Sequence, residues 1–294
     1  MIDLIQSLGN GVLIGLIYGL LGLCIVIIFK ASEAFNFAIG EFLVIGSFLF
    51  YVLFFDLNLP LFLALPLGLL AAGISGAIIE RVTIKPLLGR SPISMTMVTL
   101  GLVFFLRAAV QLIFGSDTYS FFLDLPDITL EVGNFLFLSD PTWAGILALV
   151  TFGLVILFLF RTRWGLAIRA VSEDQAKALA FGIDARFILI IIWAISSACI
   201  AVAGIMISNF GALSAGSGIV GLRAFPVVLI GGMDSIVGAL VGGIIIGICE
   251  SLAGAYIEPL GLVGFKEVIP YFVMLFVLFI RPYGLFGTVR IERV

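Results

Sequence analysis

A series of long apolar runs constrains this chain more than any other feature. Stretches long enough to cross a bilayer, about 17 to 25 residues each, are read at Gly11–Phe29, Asn36–Phe55, Leu61–Ile79, Ile93–Phe114, Trp143–Phe160 and Phe187–Ser208, with a shorter one at Glu267–Ile280. One further region, Ala224–Gly254, is interrupted by Gly231-Gly232-Met233-Asp234. Hydrocarbon offers no partner to a backbone N–H or C=O, so runs of this kind fold as helices that satisfy their own backbone. The expectation is an all-α polytopic membrane protein with about eight or nine membrane segments, some broken or re-entrant, in a single transmembrane domain 1–294. Composition agrees: 62% of residues are hydrophobic and 11% charged, against about 25% charged in soluble domains.

The few charges are sorted along the chain. Asp117, Asp124, Asp127, Glu131 and Asp140 share a loop without Lys or Arg, whereas Arg81, Lys85 and Arg90 share a second loop. Arg161, Arg163, Arg169, Lys177 and Arg186 share a third, and Arg281, Arg290 and Arg293 lie in the C-terminal tail. The positive-inside rule assigns the basic regions to the cytoplasm and the acidic loop to the outside. Counting back from Arg81 puts the N-terminus outside. Counting forward from Arg186 to a cytoplasmic tail demands an even number of crossings, so Ala224–Gly254 either crosses twice as short broken helices or re-enters. No basic segment precedes Gly11–Phe29 and no small-residue cleavage pattern follows it, which reads as a retained helix. Cys24, Cys199 and Cys249 lie inside apolar runs without CxxC spacing, as packing thiols do.

Small residues recur one turn apart: Gly11, Gly15, Gly19 and Gly22; Gly68, Ala72 and Gly76; Gly238, Gly242, Gly243 and Gly247. Such stripes let helices approach closely in lipid. Two places break the apolar pattern at membrane depth, Asn36–Glu41 (NFAIGE) and Arg223–Pro226 through Asp234. They are either simple helix ends or the lining of a substrate path, since irregular backbone at that depth must be covered by protein or water. The candidate pathway residues are therefore Asn36, Glu41, Arg223 and Asp234. Arg107 lies in an apolar run at a cost of about 2.5–3.5 kcal/mol if central; it either snorkels to the interface or faces a polar vestibule with Gln111. Glu250 either reaches an interface or is a buried carboxylate.

Between two of the long runs stands a polar stretch, 161–186 (RTRWGLAIRAVSEDQAKALAFGIDAR). Ser172 with Gln175 three residues later reads as a capping box opening a short helix, with Glu173 and Asp174 at its positive end and Gly182 closing it. Ala176, Ala178 and Ala180 keep the helix slim. Taken alone, the stretch is either a solvated connector or a cytoplasmic helix that seats in a groove of a partner.

Five pieces occur together in order: GVLIGLIYGLLG (Gly11–Gly22), NFAIGE (Asn36–Glu41), SEDQAKALAFGID (Ser172–Asp184), AFPVVLIGG (Ala224–Gly232) and RPYGLFG (Arg281–Gly287). In this the chain resembles the LivH-type branched-chain amino-acid permeases of bacterial ABC importers over nearly its whole length, although Ile39 stands where similar permeases commonly carry His or Gln. The resemblance implies a multi-pass subunit of the bacterial inner membrane that pairs with a related, LivM-like second permease. It also implies two cytoplasmic ATPases as the drive and a periplasmic binding protein as the source of substrate. It assigns Ser172, Glu173, Asp174, Ala176, Ala180 and Gly182 to the coupling helix that meets the ATPase. Branched-chain amino acids and, within the same family, urea or short amides remain open as cargo.

The sequence contains no GxxxxGK[ST] motif and no histidine, so ATP hydrolysis is expected in separate subunits, and neither a cofactor, a metal nor nucleic acid is expected as a ligand. One rival from another class is an ion-coupled secondary transporter in which Glu41 or Glu250 carries protons. A second, an intramembrane enzyme, finds no nucleophile, base or metal-ligand set to support it.

Overall fold

The computed structural model describes residues 2–120, 122–123, 125–126, 130–132, 135–137 and 139–288. Asp124, Asp127, Arg290 and Arg293 lie outside the described residues, as does the side chain of Glu131. The helices are α1 (Ile2–Ser32), α2 (Ile39–Tyr51), α3 (Leu61–Ile79), α4 (Pro92–Phe114), α5 (Ser139–Arg161), α6 (Arg163–Glu173), α7 (Gln175–Ala180), α8 (Ala185–Phe210), α9 (Ala224–Gly231), α10 (Ile236–Leu252) and α11 (Phe265–Ile280). A 3-10 helix, Ala215–Arg223, leads into α9, and there are two antiparallel pairs of very short strands: β1 (Tyr119–Ser120) with β4 (Ala212–Leu213), and β2 (Leu130–Val132) with β3 (Phe135–Phe137).

The chain is thus an all-α polytopic membrane protein. Among the described residues seven helices are long and apolar enough to cross a bilayer: Leu4–Ser32, Ile39–Asp56, Leu61–Leu87, Pro92–Phe114, Ser139–Arg161, Ala185–Asn209 and Ile236–Leu260. Several gain length from turns of another pitch. α2 continues through a π turn, Val52–Asp56, and α3 and α10 each through a π turn and a 3-10 turn. The count of eight or nine came from α11, which has 16 residues, and from Ala224–Gly254. That region resolves into an eight-residue α9 and the full-length α10.

Local chemistry sets several ends. Ser91 accepts from Ser94 N–H with Pro92 at the first helical position of α4, and Gly115 at φ 80° stops that helix. Ser235 opens α10 by accepting from Gly238 N–H at 3.0 Å.

The chain divides into two compact units, Met1–Val26 with Asp124–Leu149 and Arg223–Val294, and Ile27–Leu123 with Val150–Leu222. In the second of these α8 is the hub, packed on α2 and α3. The meeting faces are made of small residues. A Cβ on Gly46 would come within 2.8 Å of Ala201 Cα, one on Gly76 within 2.8 Å of the Trp193 carbonyl, and one on Gly204 within 2.6 Å of the Leu43 carbonyl. Trp193 is fully buried there, edge-on to Phe42 with ring centroids 5.8 Å apart.

In the first unit the glycine stripe of α1 lies against that of α10. A Cβ on Gly15 would stand 2.7 Å from both the Gly243 carbonyl and Ile244 Cα. α9 and α10 form a tight antiparallel hairpin, Gly231 meeting Gly238 and Val227 meeting Gly242. The segment after α11 returns to its tip, with Leu285 N–H donating to Ile230 O at 2.8 Å and Phe286 N–H to Gly231 O at 3.0 Å. Without a hydrophobic drive between helices in lipid, such close van der Waals packing is what holds them together.

Candidate functional site

The polar stretch between α5 and α8 folds as two helices with a sharp break. Thr162 caps α6 by accepting from Gly165 N–H at 3.0 Å. α6 runs on to Glu173, so Ser172 lies inside it and caps nothing. The expected capping box is therefore corrected. Asp174, extended at φ −162° and ψ 107°, ends α6 and caps α7, its carboxylate accepting from Lys177 N–H at 3.0 Å. Asp outcompetes the box because its short carboxylate reaches the third N–H beyond it from extended backbone. That backbone bond, and then the Lys177 ammonium 3.1 Å away, hold the Asp174 carboxyl below its ordinary value.

Freed from a capping role, Gln175 donates through Nε2 to the Ala31 carbonyl at 2.5 Å and ties α7 to the last turn of α1. Gly182, at φ 80°, closes α7 as expected: its N–H meets Leu179 O at 2.9 Å and Ile183 N–H meets Ala178 O at 3.0 Å. This is a Schellman motif, which needs the left-handed residue that glycine supplies.

Ala178 is the inward side of α7, while Glu173, Gln175, Ala176, Lys177 and Ala180 are exposed. Two large apolar side chains that the sequence reading passed over stand out with them, Leu179 at 64% and Phe181 at 86% exposure. They stand on a segment outside the seven spans. Beside it a polar cavity of about 460 Å³ is bounded by Lys30, Glu33, Arg90, Glu173, Asp174 and Gln175.

Four charges at membrane depth, Glu41, Arg107, Arg223 and Glu250, are paired, whereas buried Glu80 in the turn after α3 has no hydrogen-bond partner on either carboxylate oxygen. Asn36 Oδ1 accepts from Ala38 N–H at 3.0 Å in the turn before α2, and Glu41 lies in the first turn of that helix. Both are buried. Glu41 Oε1 accepts from Arg107 Nη2 at 2.6 Å and Nε at 3.1 Å. Arg107 thus has a carboxylate partner on α2, in place of the snorkelling or Gln111 vestibule that its own helix suggested. In the other unit Arg223 donates to Glu250 and, at 2.8 Å, to the Tyr18 hydroxyl, with Glu267 3.8 Å away. Glu250 is buried rather than interfacial. Asp234 lies apart from Arg223, beyond the eight residues of α9, about 12 Å of helix. It accepts from the N–H and hydroxyl of Thr288, next to the tail that the positive-inside rule assigns to the cytoplasm.

Comparison with known proteins places this architecture. Residues 7–278 match the model of the branched-chain amino acid transport system permease component family. The chain belongs to that family. It is 30% identical over a 312-residue alignment to the high-affinity branched-chain amino acid transport system permease protein BraD of Pseudomonas aeruginosa, covering 99% of this chain and 98% of the relative. It is 31% identical to the corresponding LivH protein of Escherichia coli K12, covering 99% and 97%. A probable LivH permease of Methanocaldococcus jannaschii is 29% identical over 92% of this chain and 88% of its own length. No solved structure matches the chain significantly.

Seen as a permease of this family, the chain carries its polar chemistry in three places: α6–α7 with the last turn of α1, the Glu41–Arg107 pair, and the Arg223–Glu250–Tyr18 cluster. Sequence reasoning had singled out Glu41, Arg107, Arg223 and Glu250 separately, because a charge in an apolar run is conspicuous alone. The pairings span 66 and 27 positions, and no local pattern encodes them. Tyr18 gave no signal within its apolar run.

Proposed function

We propose that this chain is the membrane-embedded permease subunit of an ABC importer for branched-chain or related amino acids in the bacterial inner membrane. It works with a homologous second permease, two cytoplasmic ATPases and a periplasmic substrate-binding protein. Closure of the ATPases on ATP displaces the segment 172–183, and the helices it is tied to rock between two packings, so that a path lined by residues such as Asn36 and Glu41 changes the side to which it opens. The full-length family match to permeases named for branched-chain amino acid transport carries this reading. The capped helix with exposed Leu179 and Phe181 supports the choice of docking surface. Its hydrogen bond to Ala31 supplies a route for force, because a rigid helix moves as one body when its end is pulled.

The reading is tested by co-purifying the chain from its native membrane and reconstituting what comes with it. Two ATPases and a second permease, with leucine uptake that needs ATP and the binding protein, are the expected result. A lone chain whose transport follows the proton gradient overturns the reading.

A further inference from the structure

Between α2, α3 and α4 lies a wholly apolar cavity of about 490 Å³, lined by Ile45, Leu49, Val52, Ala71, Ala109 and Val110 among others. Ala71 on α3 and Ala109 on α4 present only single methyls to it, leaving unfilled what a larger side chain would take. Val52 enters from the π turn that ends α2, a widened turn of a kind that recurs at functional sites. Protein interiors pack to crystal density, so a gap of this size forfeits contacts along its walls unless something fills it. Water is a poor filler, because it needs several polar partners and this lining offers apolar side chains.

The depth of the cavity is that of one leaflet. Its walls run from Ile45 to Leu53 on α2 and from Leu106 to Phe114 on α4, about 12 Å of helix each. That is close to half of a hydrocarbon core of about 30 Å. Both walls end on the side that the positive-inside rule assigns to the exterior, where Phe114 gives way to Gly115 and the acidic loop. An aromatic rim stands at that end. Phe114 stacks on Phe48 with ring centroids 4.2 Å apart, Tyr51 meets Tyr119 at 5.1 Å, and the Tyr119 hydroxyl donates to the Phe114 carbonyl at 2.6 Å. Aromatic side chains of this kind mark the head-group level of a bilayer. The adjoining face of α4 is turned outward: Phe104 is 73% exposed, Leu112 87%, and Ile113, itself a wall residue, 74%.

We propose that this cavity is a binding site for one acyl chain of an outer-leaflet phospholipid, the chain running inward along α2 and α4 and the head group resting at the aromatic rim. An acyl chain is apolar throughout, has the length of one leaflet and reaches the walls directly from the surrounding bilayer. A membrane-crossing helix of another subunit would need a groove through both leaflets, and the cavity ends within one. The site depends neither on the cargo nor on the drive proposed above.

The test is photolabelling of native membranes that hold the chain with its accompanying subunits, using a phosphatidylethanolamine with a diazirine midway along one acyl chain. Adducts are expected at Leu49 and Val110, inside the cavity, and at Leu112, on the outward face. When the bilayer is exchanged for detergent before irradiation, the label should persist at Leu49 and Val110 and disappear from Leu112. Ala71→Phe and Ala109→Phe fill the cavity and are expected to abolish the label at Leu49 and Val110 while leaving that at Leu112. Label at Leu112 alone in the wild type overturns the site, as does equal loss at all three positions on exchange, or full cavity label in the filled variants. A subunit seated there in place of lipid would appear as cross-linking of Ala109→Cys to another chain by a short bifunctional reagent, and overturns the proposal too. If the filled variants fail to insert, the wild-type pattern before and after exchange still decides.

Discussion

At Asp174 a single carboxylate separates two helices and orients the one that follows. Its acceptance of the Lys177 N–H fixes where α7 begins, and Gly182 fixes where it ends. Asp174→Ala is expected to speed amide exchange in Ala176–Ala180, whereas Asp174→Asn, which also caps, keeps the protection of the wild type. Exchange as fast in the Asn variant as in the Ala variant would mean that charge, not capping, orders the helix. The pH dependence follows in sign from the lowered carboxyl value. Its contribution to stability is complete above the unfolded-state pKa of about 3.9 and disappears as pH falls through the lower folded one. Protection of α7 should hold from neutrality into the ordinary carboxylate range and fall below it only by the part that the charge adds, the neutral carboxyl still capping as Asn does. Ser172 shows where sequence failed at this scale. Three adjacent residues, Ser172, Glu173 and Asp174, all favour a helix start, and the choice turned on the run of α6 up to Glu173, which only tertiary packing of that helix decides.

Helix contacts here are made by what is missing from side chains. α1 and α10 meet through glycines on both sides, so an added methyl meets backbone rather than a side chain that can swing away. Gly15→Ala and Gly243→Ala are each expected to cost about 1–3 kcal/mol by overpacking, seen as a lower unfolding temperature in detergent. Gly101→Ala, with open space around it, serves as the unaffected control, and equal losses at all three would contradict the packing account. The helices themselves were legible because a bilayer imposes one length on every span, and the small-residue stripes were legible because they recur at one-turn spacing. The partner of each stripe was not, since the α1 stripe fits any other glycine face equally well on paper. Nor was the division of Ala224–Gly254, where Gly and Asp mark a turn but leave open how far the chain travels on either side. α7 and α1 are joined by the Gln175–Ala31 hydrogen bond, the kind of neutral bond worth about 0.5–1.5 kcal/mol. Gln175→Ala should lower transport per ATP hydrolysed by about threefold to tenfold, with the subunit still in the membrane; full efficiency in that variant would remove α1 from the force route.

For the whole molecule, each of the two compact units holds its own buried carboxylate–arginine pair, Glu41 with Arg107 and Glu250 with Arg223. Breaking either by removing one partner leaves a charge without compensation at membrane depth, the costly half of a buried pair. In the importer proposed here, exchange of two packings without losing such pairs favours movement of helices as rigid bodies over unfolding of any one. The family and the membrane class were readable from order and spacing of motifs along the chain; how force reaches the bundle depends on contacts between residues far apart in sequence. The direct measurement is leucine uptake and leucine-stimulated ATP hydrolysis by the reconstituted importer when Glu173 and Asp174 are reversed to Lys, or Ala176 is replaced by Trp. Both activities should fall at least about tenfold while the permease remains inserted and folded, and unchanged coupling in these variants would contradict the account.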